Sequence, residues 1–221
     1  QQAMETAGFF SQRYFRFYNW CHRTQGQRYA DYLAGRPGQV RSTLARKQRK
    51  LAREHRYRIG LCRGADDALA ASLADFATVY RASWKAHEQF PAFVDGLAAR
   101  LAARHWLRLA VLYIDEQPAA AQFWCVVHGK ASIFKLAYDE TWRHYSPGSL
   151  LIGHLMQQVI DRDQVTEIDF LTGNDAYKMD WMSERRVRWG LYCGRQARPP
   201  GLRARLTRAL RSWRSGRPEH H

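Results

Sequence analysis

Apolar residues change their spacing several times along the chain, and each change marks an element. Residues 14–20 (YFRFYNW) are aromatic and extended in character and predict a strand. After Tyr29–Leu33, the run Arg36-Pro37-Gly38 is a turn signal. Over residues 39–55, Val40, Leu44 and Leu51 form a narrow stripe at helical spacing in an otherwise basic segment. Residues 57–62 alternate enough for a short strand. From Asp66-Asp67 onward, Leu69, Leu73, Phe76, Tyr80 and Trp84 follow helical spacing, with acids where the helix dipole favours them. Phe93, Leu97 and Leu101 mark a further helix, from after Pro91 to near His105.

The period then shortens. Residues 107–114 (LRLAVLYI), 119–127 (AAAQFWCVV) and 131–138 (ASIFKLAY) are three β-rich runs. Only Asp115–Pro118 and His128–Lys130 separate them, short enough for antiparallel hairpins. A loop over 139–147 precedes a helix over 148–163, a buried-type strand over 167–171 and a turn at Gly173-Asn174-Asp175. A short helix over 176–182 and a last strand over 187–193 complete the pattern. Residues 195–200 read as a linker, after which Leu202, Leu206, Leu210 and Trp213 share one face of an Arg-rich tail helix. The order predicts an α/β (α+β) fold: a mixed, mostly antiparallel sheet flanked by helices. Its predicted units are an N-terminal extension with a basic helix (1–56), a main domain (57–194), and a basic tail ending in tag-like residues (195–221).

Charge qualifies that picture. The 221 residues carry 35 Lys+Arg against 20 Asp+Glu, a formal +15 that invites a nucleic-acid or anionic-membrane reading. The excess is segregated, however. Residues 36–58 hold nine bases and one acid (Glu54), and residues 195–217 hold eight Arg and no acid. The remainder has 18 bases and 19 acids, so a near-neutral body carries two basic segments. A content of 46% hydrophobic residues excludes a wholly disordered chain. No apolar run approaches the roughly 20 residues of a membrane span. Cys62, Cys125 and Cys193 lie in apolar runs and read as buried thiols of a reduced, cytoplasmic protein.

Several groups carry candidate chemistry. Ser146-Pro147-Gly148-Ser149 opens a helix directly after a strand, where free amides and a positive dipole end can receive a phosphate; an ordinary Ser cap with Pro behind it is the plain alternative. Asp169, inside the apolar run Ile168–Leu171, needs a partner or will resist ionisation; it is a general base, an orienter of Lys178, or half of a buried ion pair. Lys178 is placed to hold a phosphate or carboxylate, or else to cap a short helix, and Tyr177 to protonate a leaving thiolate. Lys135 either lines a cleft or points to solvent. Asp139 and Glu140 are either bases for an acceptor or solvated residues at a strand end. Gln122 and Trp124 line an acceptor pocket or belong to the core. The histidines show no metal-ligand spacing with one another or with the cysteines, so no metal is expected. Neither a nucleophile elbow nor a P-loop is present.

The spaced combination FKLAY (134–138), YSPGSLL (145–151), IDFLTG (168–173) and YKMDW (177–181) resembles the acetyltransferase domain of CelD/BcsL-type proteins. That group belongs to the GNAT superfamily beside the FemABX aminoacyl transferases, and Arg36–Leu51 resembles the basic helix that precedes its domain. The resemblance covers roughly residues 36–192. It implies a GNAT acyltransferase fold and transfer of an acyl group from acetyl-CoA or another acyl-CoA to an amine or hydroxyl of a small-molecule or saccharide acceptor. It also implies a link to exopolysaccharide or cell-envelope synthesis. The expected catalytic residues are Asp169, Asp139, Tyr177 and Lys178. Ser146, Gly148, Ser149, Leu150 and Arg143 are expected on the donor, and Lys135, Gln122, Trp124 and Trp181 on the substrate. The usual GNAT loop has a basic residue or Gln followed by two spaced glycines, whereas Gly148 stands alone. Aminoacyl-tRNA, the donor of FemABX relatives, therefore remains an alternative, as does a basic nucleic-acid or membrane-surface binding module on an inactive GNAT fold. The basic segments are expected to meet tRNA or an anionic membrane, placing the protein in the cytoplasm or peripherally at the inner membrane.

Overall fold

In the computed structural model, residues 2–66, 68–85 and 88–195 are described; the predicted tail helix lies outside them. A short helix α1 (Gln2–Thr6) leads into β1 (Phe9–Arg23), α2 (Tyr29–Ala34), α3 (Gly38–Glu54) and β2 (Tyr57–Cys62). Next come α4 (Ala68–Arg81), α5 (Pro91–Ala102), β3 (Leu107–Ile114), β4 (Gln117–Val127) and β5 (Lys130–Tyr138). A 3-10 turn (Glu140–Tyr145), α6 (Pro147–Gln157) with a π-helical turn at Gln158–Arg162, β6 (Glu167–Asp169), α7 (Ala176–Trp181) and β7 (Glu184–Arg195) follow. The strands form one seven-stranded sheet in the order β2-β3-β4-β5-β6-β1-β7. Only the β5–β6 pair is parallel.

Local chemistry explains the central meander. Asp115 and Glu116 (φ 48° and 63°) and His128 and Gly129 (φ 48° and 73°) adopt the left-handed conformation of tight hairpin turns. Every residue of β3 is buried, because helices cover both faces of the sheet there. Leu112, Trp124 and Ile133 join α3 and α6 in one core, while Leu109, Phe123 and Ala137 pack with α4 and α5 in the other. The charge buried in β3 is compensated: Arg108 makes a two-pronged pair with Asp163 (2.9 and 2.7 Å) and donates to the His105 and Leu107 carbonyls.

The N-terminal segment departs most from its sequence pattern. A strand at 14–20 becomes β1, fifteen residues long, inserted between β6 and β7. Polar Ser11 and Gln12 hide its start, and its pairing with β7 (Phe9 opposite Arg195 through Cys21 opposite Glu184) joins the first and last strands of the described residues. A β-bulge lies between Phe15 and Phe17. The cysteines are corrected in one position: Cys62 is buried and Cys125 half-buried, but Cys193 is exposed on β7, the outermost strand. No helix among the described residues is long and apolar enough to cross a membrane.

His22 of β1 reports on this junction. It is buried, lies 2.8 Å from Ser183 Oγ through Nδ1 and receives the Gln27 amide at Nε2 (2.5 Å). Burial, aided by the Arg36 charge, lowers its pKa to about 4. The unfolded chain therefore takes up a proton at pH values where the folded protein does not. Stability from this residue is present above the ordinary His range and is lost as pH falls from 6.5 toward 4, by about 2 kcal/mol between pH 7 and 5. An NMR titration of the His22 imidazole is expected to show a midpoint near 4; a midpoint near 6.5 contradicts this packing.

Candidate active site

β5 and β6 pair only at Lys130–Ser132 with Glu167–Asp169. Beyond that point the chain turns away from β5. Phe170 N–H donates to Trp20 O (2.9 Å) and Gly173 N–H to Tyr18 O (3.2 Å), so the segment after Asp169 bonds to β1. β5 continues to Tyr138 with this edge open. The turn uses Leu171 at φ 56° and Gly173 at φ 115°, a conformation that suits glycine.

Asp169 holds the junction where the strands part. It is 1% exposed and accepts from Asn19 Nδ2 (2.7 Å), the Leu171 amide (2.7 Å) and Lys130 Nζ (2.5 Å), with Arg188 at 3.7 Å. Burial opposes its ionisation, but Lys130, the Leu171 amide and Asn19 outweigh it and hold the carboxyl below its ordinary range. Of the three readings that the sequence leaves open, the geometry is that of the buried ion pair, and Lys178 is not its partner.

A groove of about 350 Å³ lies beside the C-terminal half of β5. Leu136 and Tyr138 of β5 form one wall, Gly148, Ser149 and Ile152 of α6 another, and Tyr177, Asp180 and Trp181 of α7 a third. Gln39 and Thr43 of α3 and exposed Trp84, whose ring lies 4.6 Å from that of Tyr138, complete it. The basic helix is thus a groove wall. Its apolar stripe faces α6, where Leu44 sits 3.4 Å from the place a Cβ would take at Gly153.

The first turn of α6 is built in steps. Asp139 caps the preceding 3-10 turn, accepting from the amide (2.9 Å) and hydroxyl (2.8 Å) of Thr141. Tyr145 at the end of that turn donates to Glu54 of α3 (2.9 Å). Ser146 is left-handed (φ 53°, ψ 49°), and its hydroxyl makes no capping bond. Pro147 has no N–H, and the first bond into the helix is Leu150 N–H to Ser146 O (3.1 Å). Among the described residues no carbonyl receives the Gly148 and Ser149 amides, and both residues line the groove. A Cβ at Gly148 would come 3.1 Å from Tyr138 Cδ1, so glycine lets β5 and α6 approach closely. Gln122, wholly buried, fixes this turn from below: its Nε2 donates to Gly148 O (2.9 Å) while its Oε1 accepts from Trp124 Nε1 (2.9 Å).

The remaining expected residues divide. Tyr177 and Trp181 line the groove with Gly148 and Ser149. Burial and the Asp175 charge raise the Tyr177 pKa, keeping its phenol protonated. Lys178 is buried behind the groove, where it donates to Thr172 O (2.8 Å) and pairs with Asp175 (2.6 Å), closing the turn at Gly173. Lys135 pairs with Glu88 and lies over the Tyr80 ring, which makes it neither free nor solvated. Trp124 and Leu150 are core, Arg143 is exposed on the 3-10 turn, and Asp139 and Ser146 shape the backbone instead of lining the groove. Tyr138, Asp180 and Trp84 were not singled out by the sequence. The first two lie inside the FKLAY and YKMDW motifs, whereas Trp84 reads as the last member of a helical stripe. No group of His, Cys, Asp and Glu side chains among the described residues could hold a metal ion.

An open strand edge beside a helix start with free amides is an arrangement able to receive a phosphate-bearing group. A family model described as an acetyltransferase (GNAT) domain matches residues 38–179, and the chain belongs to that family. Among solved structures, L-PGS from Bacillus licheniformis is similar at a TM-score of 0.59 and 12% identity, over 97% of this chain and 70% of that one. FemX gives 0.57 and 10% identity over 88% and 65%. A C-terminal domain assigned to a lysylphosphatidylglycerol synthetase from Agrobacterium fabrum gives 0.54 and 12% over 96% and 68%. Comparison with curated proteins finds no match by sequence.

The structural reading of Asp169 is testable. Replacement by Asn removes the charge that Lys130 and Arg188 face in a buried position, and is expected to cost about 3 kcal/mol in denaturant unfolding. Ligand binding in the groove should survive wherever the variant is folded. A variant of unchanged stability that has lost transfer activity alone would restore Asp169 as the general base.

Proposed function

We propose that this acyltransferase draws its acyl group from an acyl-CoA lying along the groove and passes it to an amine or hydroxyl that enters past Trp84. The free edge of β5 beside the first turn of α6 carries this reading. The lining residues suit the donor. The Gly148 and Ser149 amides, at a helix start with partial positive charge, would receive the pyrophosphate. Leu136, Ile152 and the Tyr138 ring offer apolar surface to the pantetheine arm. Backbone amides on the open edge of β5 would polarise the thioester carbonyl.

Asp180 is the carboxylate in the groove wall and takes the acceptor's proton, directly or through water. The acceptor attacks the thioester carbon, and the C–S bond breaks as the tetrahedral intermediate collapses. Tyr177, whose phenol keeps its proton, supplies it to the departing thiolate. Trp181 forms the floor; its backbone carbonyl accepts from Tyr32 OH (2.7 Å), tying α7 to α2. The resemblance of the sequence motifs to CelD/BcsL-type proteins supports a saccharide acceptor in exopolysaccharide or envelope synthesis.

A second reading keeps the groove and changes the donor to aminoacyl-tRNA. Its support is the lone glycine at 148, the exposed arginines of α3, and a fold shared with FemX and a lysylphosphatidylglycerol synthetase domain. Calorimetry with acetyl-CoA and longer acyl-CoAs separates the two. Binding by the wild type, weakened about tenfold or more in Gly148→Ala measured well below its own, somewhat lowered, melting temperature, is the expected result. No binding of any acyl-CoA, together with RNase-sensitive transfer of an amino acid from charged tRNA, would replace the first reading with the second.

A further inference from the structure

β6 meets β1 only at Cys21–Arg23, so from Phe9 to Trp20 the strand partner of β1 is β7 alone. The register sets Arg13 opposite Leu191, Phe15 opposite Trp189, Tyr18 opposite Val187 and Trp20 opposite Arg185. These pairs share one face of the two-stranded ribbon. Trp189 is 52% exposed, Leu191 46% and Val187 43%, an unusual apolar load for an outer strand, which ordinarily carries charge to discourage association. The charge that is present is nearly all of one sign. β1 and β7 together contain seven arginines and a single acid, Glu184, which is spent on Arg186 and Arg23 at the base of the ribbon. Arg13, Arg16 and Arg185 are exposed and make no ion pair among the described residues. The chain leaves β7 at Arg195 into residues 196–217, which add seven arginines, Trp213 and no acid.

We infer that this ribbon docks the protein on an anionic lipid surface. Guanidinium groups meet headgroup phosphates while Trp189, Leu191 and Phe15 enter the boundary with the acyl chains. Aromatic and basic residues together also suit single-stranded nucleic acid, but the geometry favours lipid. Arg13 lies 4.3 Å over the Trp189 ring and Arg185 4.4 Å over Tyr18, covering ring faces that bases would need for stacking. Val187 and Leu191 between them offer nothing to a base but gain on leaving water. The ribbon is joined to the turn that launches α7 by one backbone and one side-chain bond: Tyr18 O accepts from Gly173 N–H, and Trp20 Nε1 donates to Asn174 Oδ1 (3.1 Å). The inference stands whichever donor the groove takes.

The test is co-sedimentation of the full chain with vesicles of phosphatidylcholine alone, with vesicles of equal parts phosphatidylcholine and phosphatidylglycerol, and with a labelled single-stranded RNA. Binding is expected to the phosphatidylglycerol vesicles only and to fall in high salt. The pairs Arg13→Gln with Arg185→Gln, and Trp189→Ser with Leu191→Ser, should each weaken it about tenfold or more, with melting temperatures near the wild type because these side chains are exposed. In a conservative variant, Trp189→Phe, binding should persist while quenching of tryptophan emission by brominated phosphatidylglycerol largely disappears. Equal binding by all variants, unchanged quenching in Trp189→Phe, or binding of RNA without vesicles would overturn the assignment.

Discussion

A carboxylate removed from water needs its charge met on several sides, and at Asp169 that demand organises half the molecule. Lys130 comes from β5, Asn19 from β1, Arg188 from β7, and the Leu171 amide from the chain just beyond. Satisfying one buried charge therefore joins three strands that are far apart in sequence. It also turns residues 170–173 toward β1, leaving the edge of β5 unpaired. The same turn leads into α7, whose Tyr177, Asp180 and Trp181 wall the groove. An apolar residue at 169 would bring no such set of partners together, whatever it contributed to packing.

The first turn of α6 then faces the open edge through a second set of constraints. Gln122 pulls on the Gly148 carbonyl from within the core, and Tyr145 ties the preceding turn to α3. Tyr138 packs where a side chain at 148 would have stood. Gln122, Tyr145 and Asp139 thus act on the site through backbone position, and the groove-lining groups Gly148, Ser149, Tyr177 and Asp180 are left for chemistry.

Much of this was legible in the sequence where it is local. The hairpins at 115–118 and 128–130, the amphipathic stripe of α4 and the helix opening at Pro147 follow from turn chemistry and periodicity alone. Long-range pairing was not legible. Nothing within residues 9–23 states that they will lie between β6 and β7, nor that Asn19 will answer a carboxylate 150 positions away. Lys178 and Lys135 show the same limit: a lysine in a motif looks available until the fold supplies Asp175 and Glu88 as partners. Charge changed meaning in a similar way. The basic helix α3 proved to be a wall of the groove, while the arginine-rich face lies across the sheet on β1 and β7.

The central claim is that a donor phosphate sits on the unbonded amides of α6 where β5 and β6 part. An amide-resolved NMR titration with coenzyme A addresses it directly. Large shifts should appear at Gly148 and Ser149 and along Leu136–Tyr138, with little change at the hairpin around Asp115. Shifts confined to the exposed arginines of α3 or the β1–β7 ribbon, with Gly148 and Ser149 unmoved, would contradict it.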